Sequence, residues 1–395
     1  MKVIAVLEDD AAVGGGFQQS LNAVAQMKRL CEGRHGFAVV AANAEAAAQL
    51  RALSIDASVV RVGLLDKLLL QLSRFPWWHQ LQGRLRLVSP FEKALLELRC
   101  DLAYFVKQTE LSGLLQRLNF ITTLFDLCHR DTPEFPEVRE FGQFRARERY
   151  FATQLSGALL VLADSAALAD AAARRYGLDR ERLLPMPFAP AAALDAAAAR
   201  ETAEVLRRHG LEKGYHFYPA QFWAHKNHVR ILEALVLLRE RGAQPVVAFA
   251  GGEKGNQRHV EALVERHGLR AQVRFLGFVP AEDMRGLYEG CAAVLMPTYF
   301  GPTNLPPLEA WAMGRPLIYS TLCAHHAGDA ALCVDPDDAG ALAAAMEEAV
   351  RPEVAARLVD RGRRRLADIA GERSASEAGL AACLARFELR RRCWP

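Results

Sequence analysis

Ala292-Ala293-Val294-Leu295-Met296-Pro297-Thr298-Tyr299-Phe300-Gly301-Pro302-Thr303-Asn304-Leu305-Pro306-Pro307-Leu308-Glu309-Ala310-Trp311-Ala312-Met313-Gly314-Arg315-Pro316-Leu317-Ile318-Tyr319-Ser320 reads as strand, loop, helix and strand. Residues 292–296 are short and nearly all apolar, as a strand covered on both faces of a parallel sheet must be. Thr303 or Asn304 can cap the helix that follows, prolines suit its first turn, and Gly314 ahead of Pro316 stops it. The helix is expected over about Pro307 to Met313 and the next strand over Pro316 to Ser320. This is an α/β unit.

The same alternation runs through the rest of the chain. Before this unit come strand candidates Tyr215 to Pro219, Pro245 to Ala250 and Val273 to Leu276, separated by helical stretches Asn227 to Arg241, Gln257 to His267 and Ala281 to Gly290. The amino half repeats the scheme. Its strands are Val3 to Leu7, Phe37 to Ala42, Leu102 to Val106, Phe120 to Phe125 and Ala158 to Leu162, with helices from Phe17 to Cys31 and Ala44 to Leu53. Residues 64–98 are helical in character, with Trp77 and Trp78 after Pro76 read as a packing pair. A Pro- and Ala-rich linker at 185–199 separates the halves. The expected fold class is therefore α/β, two Rossmann-like doubly wound domains over 1–190 and 191–375, facing an interdomain cleft at the carboxyl ends of their strands. A last helix over 376–395 is free to cross back to the amino-side domain.

Composition narrows the function. A chain of 395 residues, 51% hydrophobic and 24% charged, is too long for one ordinary core and too apolar to be disordered. Its 49 Lys+Arg against 46 Asp+Glu leave a formal charge of +3, which argues against nucleic acid as a partner. Met1 runs directly into a strand and no apolar run reaches the length of a membrane span, so a cytoplasmic protein is expected. The eight cysteines are scattered without Cys-x-x-Cys pairs and read as buried or free thiols of a reducing compartment, not as a zinc site.

Three stretches carry candidate chemistry. Val13-Gly14-Gly15-Gly16-Phe17 follows the first strand and opens a helix, where backbone amides can meet a phosphate; the spacing is neither Gly-x-Gly-x-x-Gly nor a P-loop. Tyr218 to His228 passes from a strand into a helix and sets Lys226 in the short loop between, within reach of a diphosphate. In the third stretch, the helix start near Thr303 to Leu305 offers amides and a partial positive charge, and Glu309 can accept hydrogen bonds from two ribose hydroxyls or simply answer its own helix dipole.

At these residues the sequence resembles the retaining glycosyltransferases of the large family 4 (group 1), which have the two-domain GT-B architecture. The resemblance rests on Tyr218 to Trp223 with His225-Lys226-Asn227-His228, Gly277-Phe278-Val279-Pro280, and Pro297 to Ala310. In the amino half it reaches Asp126-Leu127-Cys128-His129-Arg130, Pro133-Glu134-Phe135-Pro136 and Ala163-Asp164-Ser165; residues 43–100 match nothing in the family pattern. The resemblance implies that the carboxyl-side domain binds the nucleotide sugar, that Lys226 is the lysine of a basic pair on the diphosphate, and that Glu309 is the second glutamate of a Glu-x7-Glu motif. Gln221 stands where the pair's arginine is usual and Gly301 where the first glutamate is usual, so backbone groups around Pro302, Thr303, Asn304 and Leu305 are expected to replace the missing carboxylate. Phe125 replaces the His that commonly precedes Asp126, leaving His129 as the candidate for the sugar or acceptor side.

The candidate catalytic residues are thus Asp126, His129 and Lys226. The candidate donor-binding residues are Gly15, Gly16, Gln221, Lys226, Gly301, Pro302, Thr303, Asn304, Leu305 and Glu309. The resemblance implies retaining, front-face transfer of a hexose from a UDP- or GDP-sugar to a saccharide or lipid-linked acceptor in cell-surface polysaccharide or glycoconjugate biosynthesis. No cofactor or metal is expected: Asp335-Pro336-Asp337-Asp338 reads as a turn capping a helix near Ala339, not as a metal-binding Asp-x-Asp. Arg363-Arg364-Arg365 and Arg390-Arg391-Arg392 offer either peripheral contact with the inner face of a membrane or a solvated helix face. The alternatives are a non-catalytic sugar-nucleotide-binding protein of this fold and a sugar-nucleotide epimerase.

Overall fold

The computed structural model describes residues 1–8, 15–73, 75–191, 200–301 and 303–394. The chain forms two compact units. One comprises Met1–Leu127, Phe144–Pro187 and Arg373–Pro395; the other comprises Cys128–Gln143 and Phe188–Glu372. The expectation set boundaries at 190 and 375 with a last helix free to cross back; Arg373–Pro395 do group with the amino-side unit, while residues 128–143 group with the carboxyl-side one, so both units are discontinuous. Residues 128–143 pack with the carboxyl-side loops, and 376–391 are not a separate helix but the end of one running from Pro352 to Arg391. The linker residues 192–199 lie outside the described residues.

The amino-side unit is built on β1 (Lys2–Leu7), β2 (Gly36–Ala41), β3 (Ala57–Val59), β4 (Leu102–Phe105), β5 (Asn119–Leu124), β6 (Leu160–Ala163) and β7 (Leu183–Pro185). All pairings are parallel, in the order β3-β2-β1-β4-β5-β6-β7. β4 and β6 are buried along their whole length, which is why they read as unbroken apolar runs. Leu380, Cys383, Leu384 and Phe387 of the last helix bury their side chains in the cluster that holds Val3, Ala5 and Leu7. Serine and asparagine start the helices where the sequence places them: Asn43, Ser89 and Ser165 each accept the amide of the third residue on.

The carboxyl-side unit carries β8 (His216–Pro219), β9 (Val247–Ala250), β10 (Val273–Gly277), β11 (Ala293–Met296), β12 (Leu317–Ser320) and β13 (Leu332–Val334), again all parallel, in the order β10-β9-β8-β11-β12-β13. Each sheet therefore reverses its direction of growth once, between β1 and β4 and between β8 and β11. Outside the carboxyl ends of such a strand pair the adjoining loops diverge and leave room for a ligand. Asp338 caps the helix Ala339–Ala349 through the amide of Ala341 at 2.9 Å, as the Asp-Pro-Asp-Asp turn suggests.

A cluster of cations around one buried carboxylate ties the helix Ala281–Gly290 to residues 200–209. Asp283 on the helix Ala281–Gly290 is fully buried, bonds to Arg200 and to His209 Nε2 at 2.9 Å, and has Arg208 at 3.8 Å. Burial pushes its pKa up, but the bonds from His209 and Arg200 and the neighbouring positive charges outweigh that and hold the carboxyl below the usual carboxylate range. A carboxyl depressed in the folded state contributes stability above its unfolded value and loses it as pH falls through the folded one. Asp283→Ala should therefore lower unfolding free energy by about 3 kcal/mol at neutral pH. In denaturant titrations the gap between the two proteins should close only in acid, below about pH 4.

Candidate functional site

The carboxyl end of β8 leads through Ala220 and Gln221 into a single turn at Ala224–Lys226, and the helix His228–Glu240 follows. Its neighbour β11 leads through Pro297 and Thr298 into the loop that ends at the helix Leu305–Ala312. These two loops flank the point where the sheet reverses. Gly251, at the end of β9, supports the first of them from beside it: a Cβ there would stand 2.3 Å from the carbonyl oxygen of Ala220. Only glycine permits that approach.

Lys226 is half-buried, and its Nζ donates to Asn304 Oδ1 at 2.9 Å. Asn304 in turn donates through Nδ2 to the carbonyl of Gly301 at 2.9 Å and to the Tyr319 hydroxyl at 3.1 Å. Asn304 is the residue before the helix, yet its side chain makes no capping bond there. It holds the lysine instead. A helix start leaves four amides without intrahelical partners, and Pro306 and Pro307 carry no N–H, so the donors of this terminus are the amides of Asn304 and Leu305. Thr303 is buried beside them.

Gly301 has φ +104°, a backbone conformation that side chains disfavour, and a Cβ on it would stand 2.8 Å from Asn304 Oδ1. The absent glutamate is thus built into the loop: Asn304 occupies the space that a side chain at 301 would enter. Pro302 lies outside the described residues.

The neutral Gln221 is half-buried, and its Oε1 accepts from Trp223 Nε1 at 3.2 Å. Of the two histidines beside Lys226, His228 adds no charge. It is buried, stacked on Phe222 with ring centroids 4.4 Å apart, and desolvation lowers its pKa to about 3. His225 is paired with Glu137, whose Oε1 also accepts the His225 amide at 3.0 Å, and its ring stacks on Phe300 at 3.7 Å. Phe135 packs against Tyr299 and Phe300 at 5.2 and 5.6 Å. Phe135 and Glu137 thus bind the segment 128–143 to both loops. Sequence reasoning missed Glu137; its one signal was the Pro133 to Pro136 stretch immediately before it.

His129 was assigned to the amino-side domain and to the sugar or acceptor side. The structure places it in the short helix Cys128–Asp131, within the segment that groups with the carboxyl-side unit, and its side chain is fully enclosed. Asp126 stays in the amino-side unit, 2.9 Å from Arg147 Nη1. Gly15 and Gly16 form the first turn of the helix Gly15–Cys31, and the carbonyl of Gly16 accepts from Ser20 Oγ at 3.2 Å; residues 9–14, including Gly14, lie outside the described residues. Of the candidate residues, the structure brings Gln221, Lys226, Gly301, Thr303, Asn304, Leu305 and Glu309 to one end of one sheet.

Glu309, one turn into the helix Leu305–Ala312, is buried and accepts a hydrogen bond from the Tyr288 hydroxyl at 2.5 Å. Burial raises its pKa to about 7, against the lowering effect of the Tyr288 bond. A carboxyl raised in the folded state costs stability as pH climbs from the unfolded value through the folded one. Glu309→Gln removes that ionisation. In unfolding measurements its stability relative to the parent should improve between pH 5 and pH 8, by up to about 3 kcal/mol.

Residues 215–351 match the family described as Glycosyl transferases group 1. Among curated proteins, O-antigen chain mannosyltransferase B of Escherichia coli is 28% identical over 229 residues, a match that covers 57% of this chain and 59% of that protein. The chain thus spans less than two thirds of the length of that relative. The Anabaena protein Alr3699/HepE, solved in complex with UDP and glucose, superposes with a TM-score of 0.70 at 17% identity, covering 97% of this chain and 100% of that one. A glycosyltransferase of Rickettsia africae superposes with a TM-score of 0.69 at 13% identity over 96% and 98% of the two chains.

Proposed function

We propose a retaining hexosyltransferase, from a chain whose residues 215–351 match the family described as Glycosyl transferases group 1 and whose two parallel-sheet units have the GT-B fold. It takes the sugar of a GDP- or UDP-linked donor and passes it to a saccharide or lipid-linked acceptor in cell-surface polysaccharide assembly. The observation that carries this reading is the lysine held by Asn304 beside a helix start at the β8/β11 reversal, inside the matched segment. The similarity to an O-antigen mannosyltransferase supports a polysaccharide product and makes GDP-mannose the first donor to try, with UDP-glucose beside it.

In this reading the donor's diphosphate lies against Lys226 and the amides of Asn304 and Leu305. The Asn304 bond orients the ammonium, whose charge serves the diphosphate. The acceptor oxygen attacks the anomeric carbon on the face the diphosphate leaves. The bond from that carbon to the phosphate oxygen breaks, and a phosphate oxygen takes the acceptor's proton. Charge grows on the diphosphate as the sugar gains oxocarbenium character, so groups fixed beforehand stabilise the transition state without reorganising. The Asn304 bond supplies that fixation for Lys226. Glu309, ionised once ribose hydroxyls donate to it, holds the nucleoside.

Turnover of a sugar-nucleotide panel tests the activity, and binding without turnover would mean a non-catalytic sugar-nucleotide protein. Lys226→Ala should lower kcat by at least about a hundredfold, on the scale of removing one preorganised donor to a developing anion. Activity should survive excess EDTA; loss on chelation, restored by magnesium or manganese, would overturn the metal-free mechanism. Glu309→Ala should weaken donor and free nucleoside diphosphate alike, by about 1.5 to 3 kcal/mol per lost charge-assisted hydrogen bond, as read by calorimetry.

A further inference from the structure

The amino-side unit exposes apolar side chains in one short stretch. Among the described residues, eight of the sixteen large hydrophobic side chains that face solvent fall between 64 and 87: Leu64, Leu65, Leu68, Phe75, Trp77, Leu81, Leu85 and Leu87. The stretch is two short helices, Leu64–Leu72 and Pro76–Leu85, joined by a three-residue link. Leu64, Leu65 and Leu68 share one face of the first helix, and Trp77, Leu81 and Leu85 recur every four residues along one face of the second. Leu64 is 86% exposed and Trp77 54%, with Phe75 stacked on Trp77 at 5.9 Å. The opposite faces are the ordinary core side: Asp66 and Leu69 of the first helix and Trp78 and Gln82 of the second are buried.

Charge in this stretch has one sign at the surface. Arg61, Lys67, Arg84 and Arg86 are exposed. Asp66 is the one acidic residue from 60 to 91, and it is turned inward, where it accepts the amides of Gly63 at 2.9 Å and Phe91 at 3.0 Å. Leucines and an interfacial tryptophan flanked by long basic side chains, with no acid facing out, suit a surface that is apolar beneath and anionic on top. A second copy suits it poorly, because a two-fold contact would set these cations against one another. Of the six arginines at 363–365 and 390–392, which offered either a membrane contact or a solvated helix face, three have partners within the chain. Arg364 pairs with Asp360, Arg365 with Glu372 at 3.0 Å, and Arg391 lies 3.6 Å from Asp101 and over the Trp394 ring.

We propose that the exposed side chains of residues 64–73 and 75–87 form a membrane-docking surface for an anionic lipid bilayer, entered by the leucines and Trp77 and held at the headgroups by Lys67, Arg84 and Arg86. The proposal stands apart from the donor reading, since a chain that transferred no sugar would still bind vesicles. The test is flotation of the full chain with vesicles of phosphatidylcholine alone and of an equal mixture with phosphatidylglycerol. The mixture should capture the protein at least about tenfold more strongly, and added salt should weaken the capture. Leu68→Asp with Trp77→Ala, both at exposed positions, should reduce it about tenfold or more at an unchanged melting temperature, whereas Arg364→Glu with Arg390→Glu should leave most of it. Absence of flotation with either vesicle, or capture unaffected by the Leu68/Trp77 change but lost with the arginine change, would overturn the assignment. So would a dimer in light scattering that the Leu68/Trp77 change dissolves, which would make the face a contact between copies.

Discussion

The side-chain amide of Asn227 donates to the carbonyls of Pro297 at 3.1 Å and Pro336 at 2.8 Å, and much of the carboxyl-side unit's loop geometry hangs on it. One buried group thereby ties the loop after β8 to the loops after β11 and β13. Asn227 sits at φ 59°, in the left-handed region that asparagine tolerates better than most residues, and the helix His228–Glu240 starts from it. Lys226 is its immediate neighbour, so the ammonium's position is inherited from a turn that three loops agree on.

The segment 128–143 adds a second fastening to the same place. Glu137 accepts from the His225 backbone and pairs with its ring, while Phe135 fills the space against Tyr299 and Phe300. Desolvation raises the Glu137 pKa, and the bonds from His225 more than reverse it, so the carboxylate stays ionised beside the imidazole. Around Lys226 the fold has spent its polar groups on positioning: Asn304 gives up a cap to hold the lysine, and Gly301 gives up a side chain to make room for Asn304.

Long elements and strongly apolar strands were legible in the sequence because a doubly covered parallel strand leaves no polar alternation to confuse it; β4, β6, β9 and β11 fall where the apolar runs are. Strands β3, β7 and β13 were not, since three residues at a sheet's edge carry too little pattern. The helix start at Leu305 was expected two residues later, because Pro306 and Pro307 fit a first turn equally well on either side of it. Of the candidate site, the residues around Lys226 and Thr303 to Glu309 were singled out by their place in strand-to-helix loops and by the resemblance their order carries. What could not be read were long-range pairings, such as Glu137 with His225 or Tyr288 with Glu309, and whether a side chain such as His129 ends enclosed. Those depend on which loops the sheets bring together.

The sharing of the helix Pro352–Arg391 between the units bears on how the chain acquires its structure during synthesis. β1 is made early, yet Leu380, Leu384 and Phe387, which share a buried cluster with its Val3, Ala5 and Leu7, are translated only after the whole carboxyl-side sheet, and Gln26 waits as long for its 2.8 Å bond to Glu377. Domains ordinarily complete themselves in the order of their translation. Here the first-made sheet keeps an open apolar flank until residues 380–387 have been made, while the carboxyl-side unit, translated before them, already has its own core in hand. Completion therefore runs backward along the chain, and a nascent protein stalled short of residue 380 presents an unfinished amino-side core to whatever chaperone or protease meets it.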